Sequence, residues 1–176
     1  MSAQNLLVRL VLVPSHLVKI AVVCLGNICR SPMAHVILEQ KLAEAGLDDQ
    51  VTVVSSGTGS WHIGEPMDKR AAATLSAAGY DPSRHAARRF DTDWYAENDL
   101  ILVMDASNHA DVSELAPDVA SLEKVRMFRA YDPEAAEHDN EVPDPWFGGP
   151  EGFQQVLEMV ERTVDALVKE LSRELG

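Results

Sequence analysis

A cysteine and an arginine separated by five residues lie in the segment 24–32, whose sequence is CLGNICRSP. A cysteine thiolate is a nucleophile, and an arginine guanidinium is a planar donor that matches two oxygens of a phosphate group. This spacing indicates a site in which Cys24 attacks phosphorus while Arg30 holds the phosphate. The pattern is weak by itself, because a lone cysteine at the end of a strand is more often a small buried residue.

The residues around this pair are those that an anion-binding loop requires. Gly26 and Asn27 tolerate the left-handed backbone that lets successive N–H groups point inward. Ser31 is the expected N-cap of a following helix, and the helix N-terminus adds partial positive charge. This field favours the thiolate form of Cys24 and so activates the nucleophile. The expected phosphate-binding residues are Leu25, Gly26, Asn27, Ile28, Cys29 and Arg30.

Four apolar runs predict the strands that position this segment. They lie at residues 19–24, 51–55, 99–104 and 124–128. Helical patterns alternate with these runs, and the clearest of them ends the chain. The alternation predicts an α/β protein with a four-stranded parallel sheet covered by helices on both faces, in a small doubly wound, flavodoxin-like fold. Ligands in such folds bind beyond the carboxyl ends of the strands, and Cys24 ends the first strand.

Two loops rich in glycine or proline supply further candidates. A late loop contains Asp144, a candidate proton donor, with Trp146 and Phe147 close behind it. An earlier loop contains Trp61 and His62. Aromatic side chains in shaped loops are expected to form the walls of a substrate pocket.

Asp144 has competitors in the same region. Asp132, Asp139 and Glu141 precede it in the chain, and the sequence alone does not exclude any of them as the proton donor. Asp144 also has the plain interpretation of a turn residue before proline. The assignment of the acid therefore stays open at this point.

Composition narrows the class of protein. The chain has 176 residues, two cysteines and a net charge of −13. The negative charge argues against nucleic acid as a partner, and two cysteines are too few for a disulfide framework or a zinc site. A cytoplasmic protein without a metal or membrane span is expected. Residues 1–17 are predicted to be an N-terminal extension of a single domain at residues 18–176.

The complete segment 24–32 resembles the signature loop of the low-molecular-weight protein tyrosine phosphatases. Other landmarks of that family are matched in the same order along the chain. They are Ser56-Gly57-Thr58-Gly59, Trp61-His62-x-Gly64, His85-x-Ala87-Arg88, Met104-Asp105-x-Ser107-Asn108 and Asp144-Pro145-Trp146-Phe147-Gly148. The resemblance covers all but about the first 17 residues.

The resemblance implies hydrolysis of phosphotyrosine in two steps, without a metal or other cofactor. Cys24 is implied to form a phosphocysteine, while Arg30 and the loop amides hold the phosphate. Asp144 is implied to act first as general acid and then as general base. The aromatic walls Trp61 and Trp146 imply a pocket deep enough for phosphotyrosine but too deep for phosphoserine.

Supporting roles are implied for residues behind the nucleophile. Ser31 is expected to steady the thiolate, Asn27 to hold the loop, and His85 to orient Ser31. Cys29 keeps two interpretations: a packed loop residue, or a redox-sensitive partner that protects Cys24 through a reversible disulfide.

Three alternatives remain to be compared. Related arsenate reductases relay a disulfide through further cysteines, but no cysteine follows Cys29 in this chain. Related protein-arginine phosphatases have threonine in the place of Ile28 and lack paired aromatics such as Trp146 and Phe147. A phosphate-binding or redox-sensing module without catalysis is the third alternative.

The resemblance also implies partners. Phosphotyrosine-containing proteins are the expected substrates, and a cognate tyrosine kinase is a further partner that the sequence does not identify. A monomer is expected by default. The adjacent pair Trp61 and His62 resembles bacterial members of the family.

Overall fold

The computed structural model describes residues 16–176. Its sheet has four parallel strands in the order β2-β1-β3-β4. The strands are β1 (Val18–Cys24), β2 (Val51–Gly57), β3 (Leu100–Val103) and β4 (Val125–Met127). In the register of the sheet, Cys24 lies opposite Gly57, and Val23 lies opposite Val103. The carboxyl ends of the three strands β2, β1 and β3 therefore meet at one edge, with Cys24 at its centre.

Helices connect and cover these strands. They are α1 (Arg30–Glu44), α2 (Lys69–Ala77), α3 (Asp93–Glu97), α4 (Ala106–Glu114), α5 (Val119–Leu122) and α6 (Pro150–Leu175), with a 3₁₀ helix at Phe128–Tyr131. The fold class predicted from the sequence, an α/β fold with a four-stranded parallel sheet, is confirmed.

The two faces of the sheet bury alternate residues of each strand, because successive side chains of a strand point in opposite directions. Ile20 and Val22 pack on one face in a core that includes residues of α1 and α6. Ala21 and Val23 pack on the other face with the aromatic side chain of Tyr95. Helix α6 supplies one continuous buried stripe, which consists of Phe153, Val156, Leu157, Val160, Thr163, Val164, Leu167, Val168 and Leu171.

The start of α1 differs from the prediction. The helix begins at Arg30, its N-cap is Cys29, and no side chain caps it. Ser31 lies inside the first turn, so the prediction that Ser31 is the N-cap is wrong. The physical reason is that its hydroxyl is engaged elsewhere, within 3.0 Å of the Cys24 sulfur.

Most of the predicted N-terminal extension lies outside the described residues. His16 is described, and its Nε2 lies 3.0 Å from the Asp99 carboxylate. Among residues 16–176, no helix combines the length and apolar character needed to cross a membrane.

Candidate active site

The sulfur of Cys24 lies at the floor of the loop between β1 and α1, and Cys24 is only 3% exposed. Its Sγ is 3.0 Å from Oγ of Ser31 and accepts a hydrogen bond from the backbone N–H of Asn27 at 3.3 Å. Ser31, which was expected to steady the thiolate, thus contacts the sulfur, as does the backbone of Asn27, which was expected to hold the loop.

Asn27 holds the loop in shape. Its φ is 55°, in the left-handed region, as expected for a loop that turns its amides inward. Its side-chain Nδ2 donates to Oγ of Ser31 at 2.8 Å and to Oγ of Ser55 at 3.1 Å, while its Oδ1 accepts from the backbone N–H of Arg88 at 2.9 Å. Asn27 is fully buried, so these bonds satisfy its amide without water.

His85 supports the loop in a different way from the one expected. Its Nε2 lies 2.6 Å from the carbonyl oxygen of Asn27, which can only accept, so Nε2 carries the hydrogen. Ser31 is oriented by the side chain of Asn27 instead, and the expectation that His85 orients Ser31 is corrected accordingly. Burial lowers the pKa of His85, although its bond to Asn27 opposes this effect.

Arg30 is 2% exposed and is anchored by groups that follow other strands. Its Nη1 donates to Oδ2 of Asp105 at 2.6 Å and to the carbonyl oxygen of Val142 at 2.9 Å. Asp105 caps α4 through its other oxygen, which accepts from the N–H of Asn108. Sequence analysis assigned no role to Asp105. Its position directly after β3, at the same edge as Cys24, is the signal that identifies it.

Asp144 lines the same cavity as Cys24 and Arg30. Its Oδ2 lies 3.7 Å from Nη2 of Arg30, and its Oδ1 accepts the backbone N–H of Trp146 at 3.1 Å. Among the described residues that line the cavity above Cys24, Asp144 is the only carboxylate.

The three competing carboxylates are engaged elsewhere. Asp132 is buried between the guanidinium groups of Arg129 and Arg162. Asp139 also pairs with Arg129, and Glu141 accepts the N–H of Ala106. The choice of Asp144 over these residues, which the sequence left open, is thus favoured by position.

A cavity of about 210 Å³ opens above the sulfur of Cys24. Its lining residues are Cys24, Leu25, Gly26, Ile28, Cys29, Arg30, Trp61, His62, Asp144, Trp146 and Phe147. The four residues predicted to form the pocket, Trp61, His62, Trp146 and Phe147, are all among them. Trp61 is 70% exposed and Phe147 is 93% exposed, so these rings stand at the rim rather than in the core.

Cys29 is a free, buried cysteine, as is Cys24. Burial raises the pKa of the Cys29 thiol, and the negative charge of Asp68 adds to this effect. Cys29 is therefore a neutral thiol near neutral pH. Its role in a regulatory disulfide stays a prediction.

Arg70 is a further residue for which the sequence predicted no role. In the structure, Nη1 of Arg70 donates to the carbonyl oxygen of Trp146 at 3.1 Å.

Within residues 16–176, no group of three or more His, Cys, Asp or Glu side chains is arranged to hold a metal ion.

Comparison with known proteins identifies the family. The model of the low molecular weight phosphotyrosine protein phosphatase family matches residues 19–176. The chain is 43% identical over 150 residues to the low molecular weight protein-tyrosine-phosphatase of Streptomyces coelicolor, across 85% of this chain and 91% of that protein. It is 40% identical over 145 residues to the low molecular weight protein-tyrosine phosphatase A of Mycobacterium tuberculosis, across 82% and 86%.

Comparison with solved structures indicates the same family. The crystal structure of a protein tyrosine phosphatase from Entamoeba histolytica matches with a TM-score of 0.83 and 28% sequence identity, over 90% of this chain and 99% of that one. The family match spans every element of the fold, from β1 to α6. With its parallel sheet, its cysteine loop and these relatives, the chain belongs to the low molecular weight phosphotyrosine protein phosphatase family.

Proposed function

We propose that this protein-tyrosine phosphatase hydrolyses phosphotyrosine through a phosphocysteine on Cys24, using only groups of its own chain. The observation that supports the proposal is the convergence of three groups on one cavity: the sulfur of Cys24, the guanidinium of Arg30 and the carboxyl of Asp144. The three come from the end of β1, the start of α1 and a distant loop. Nucleophile, anion holder and proton donor are the parts that phosphoryl transfer requires.

In the first step the Cys24 thiolate attacks phosphorus. A sulfur–phosphorus bond forms, the bond from phosphorus to the phenolic oxygen breaks, and the carboxylic acid of Asp144 gives its proton to that oxygen. Arg30 holds the equatorial oxygens through the edge of its guanidinium that Asp105 does not occupy. The loop amides contribute further donors to the same oxygens.

In the second step water attacks the phosphocysteine. An oxygen–phosphorus bond forms, the sulfur–phosphorus bond breaks, and the Asp144 carboxylate takes a proton from the water. The leaving thiolate is stabilised by Ser31 and by the N–H of Asn27, which lie 3.0 and 3.3 Å from Sγ. One carboxyl group thus serves as acid and then as base.

The shape of the cavity supports phosphotyrosine as the substrate. The sulfur lies at the floor with Cys24 only 3% exposed, while Trp61 stands 70% exposed at the rim. A phosphate on a phenyl ring is long enough to reach the floor, and a phosphate on the short side chain of serine is not. The ring of Trp146, which is 38% exposed, offers a flat apolar surface for the phenyl group.

Peptides of one sequence test this proposal when they carry phosphotyrosine, phosphoserine or phosphoarginine. We expect phosphotyrosine to be hydrolysed fastest, because its ring fills the aromatic pocket. Faster hydrolysis of phosphoarginine would overturn the choice of substrate. If the protein bound phosphate without hydrolysing para-nitrophenyl phosphate, the enzymatic proposal itself would fail.

A further inference from the structure

Arg70, in the first turn of α2, grips the loop that carries Asp144. Its Nη1 donates to the carbonyl oxygen of Trp146 at 3.1 Å, and its Cζ lies 5.3 Å from the centre of a ring of the same residue. The same Cζ lies 4.7 Å from the ring centre of Phe153 in α6. Contacts of a guanidinium with aromatic faces are attractive. Arg70 therefore holds both the backbone and the side chain of Trp146.

The other edge of the Arg70 guanidinium is fixed by Asp68. Nε and Nη2 donate to the two carboxylate oxygens of Asp68 at 3.2 and 3.1 Å, which is the bidentate geometry that arginine favours. Asp68 also accepts the backbone N–H groups of Arg70 and Ala71, so it caps α2. One edge of the Arg70 guanidinium is therefore held at the start of α2 by both oxygens of Asp68.

Asp68 in turn is bonded to the phosphate loop. Its backbone N–H donates to the carbonyl oxygen of Ile28 at 2.9 Å. A continuous chain of contacts thus runs from Ile28 through Asp68 and Arg70 to Trp146. This chain joins the loop that holds the phosphate to the loop that supplies the proton.

The last link reaches the reacting carboxyl group. The N–H of Trp146 donates to Oδ1 of Asp144 at 3.1 Å, and Oδ2 of Asp144 lies 3.7 Å from Arg30. Holding the Trp146 backbone therefore fixes one of the two oxygens of the acid. Arg70 is not one of the described residues that line the cavity. Its influence on the reaction therefore passes through Trp146 and Asp144.

We propose that Arg70 is a positioning residue that clamps the acid loop to the phosphate loop and so aligns Asp144 with the leaving-group oxygen. The inference rests on the proposed role of Asp144 as general acid. It predicts that Arg70 matters most for substrates whose leaving groups need a proton. A residue that only stabilised the fold would affect all substrates alike.

The test measures kcat/KM of Arg70→Gln on aryl phosphates whose phenols differ in acidity. For phenyl phosphate, a poor leaving group, we expect a loss of about 10- to 100-fold, the range for a misplaced catalytic group. For dinitrophenyl phosphate, which leaves without a proton, we expect almost no loss. Lys69→Gln is the matched control, because Lys69 is exposed on the same helical turn, and it should leave the whole series unchanged.

A double variant shows whether Arg70 acts through Asp144. If it does, Arg70→Gln combined with Asp144→Asn loses no more on phenyl phosphate than Asp144→Asn alone. Losses that multiply, or an equal loss for every leaving group, would overturn the clamp. Should Arg70→Gln fail to fold, Arg70→Lys keeps the charge without the fork, and we expect a smaller loss with the same dependence on leaving group.

The variants also separate this inference from the proposed function. If Asp144→Asn is sensitive to the leaving group but Arg70→Gln is not, the clamp is wrong and the acid stands. If Asp144→Asn is insensitive, the acid assignment is wrong, and the clamp falls with it.

Discussion

Arg30 is the residue that we propose holds the phosphate, and it is buried in an acidic protein. The residue is 2% exposed, and its guanidinium is paired with Asp105 at 2.6 Å. A buried charge needs a partner, and the pair also fixes the direction in which the guanidinium points. In the proposed mechanism Asp105 therefore orients the residue that holds the phosphate, although Asp105 itself does not line the cavity above Cys24.

Asp105→Asn tests this partnership. Aspartate uses one oxygen for Arg30 and the other for the α4 cap, whereas asparagine has a single acceptor oxygen and no charge. We expect the interaction with Arg30 to weaken by about 1 kcal/mol. We expect inorganic phosphate to inhibit about fivefold more weakly, measured as its inhibition constant. Asp111→Asn, an exposed change on the same helix, is the control. Unaltered phosphate inhibition in Asp105→Asn would show that the pair does not orient Arg30.

Single residues also show what could be predicted from the sequence. Cys24, Arg30 and Asp144 were predicted because their types carry the chemistry, and the family resemblance supplied their roles. Asp105 was missed because an aspartate before a helix has the ordinary interpretation of a cap, which it also is. Arg70 was missed because a charged residue in a helix is usually solvated, and its contact with Trp146 joins positions 76 residues apart.

The segment between β4 and α6 contains the loop that carries Asp144, and it also contains residues that anchor this loop. Arg129 in the 3₁₀ helix donates to the carbonyl oxygen of Glu141 at 2.9 Å and to Asp132 at 2.8 Å. Asp132 also receives two bonds from Arg162 of α6, at 2.7 and 2.9 Å. The loop that carries Asp144 is thus anchored on a buried ion network.

Asp132→Asn should destabilise the fold, because it removes the buried carboxylate that pairs with both Arg129 and Arg162. The carboxylate of Asp139 also pairs with Arg129, but the Asp139 side chain is 76% exposed and replaces little of this interaction. We expect a loss of about 3 kcal/mol in the free energy of unfolding near neutral pH, measured by urea denaturation. Glu134→Gln is the control, because Glu134 also pairs with Arg162 but its side chain is 69% exposed.

The difference in unfolding free energy between wild type and Asp132→Asn should depend on pH. Burial alone would raise the pKa of Asp132, but hydrogen bonds from Arg162, the Glu134 amide and Arg129 lower it well below its ordinary value. A lowered pKa gives stability above about pH 4, the unfolded value, and that stability is lost as the pH falls toward the folded value. The difference between wild type and Asp132→Asn should therefore shrink in acid. A difference that grew in acid would contradict the network.

The long elements were easier to predict than the short ones. Helix α6 has 26 residues and a sustained apolar period, so its pattern is unambiguous. Helix α5 has four residues and the 3₁₀ helix has four, which is too short for a period to show. These short elements form because neighbours pack against them, and a local sequence does not contain that information.

At long range, the net negative charge of the whole molecule repels an anionic substrate. The net charge of the chain is −13, while the proposed phosphate site relies on one buried guanidinium, backbone amides and a helix N-terminus. The positive field is therefore local, and the outer surface repels acidic peptides.

Salt should reveal this repulsion. Screening weakens interactions beyond the Debye length, which is about 30 Å at 0.01 M and about 10 Å at 0.1 M salt. We expect added salt to raise kcat/KM for a phosphotyrosine peptide flanked by glutamates relative to one flanked by lysines. Equal responses of the two peptides would show that long-range charge has no part in substrate encounter.

Trapping the covalent intermediate decides whether Cys24 is the nucleophile. Asp144→Asn lacks the base for the second step, so radiolabelled phosphate from an aryl phosphate with a good leaving group should accumulate on the protein. After rapid quenching and digestion, we expect the label on the peptide that contains Cys24, and none when Cys24→Ser is added. Label on another residue, or turnover by the Cys24→Ser protein, would contradict the mechanism.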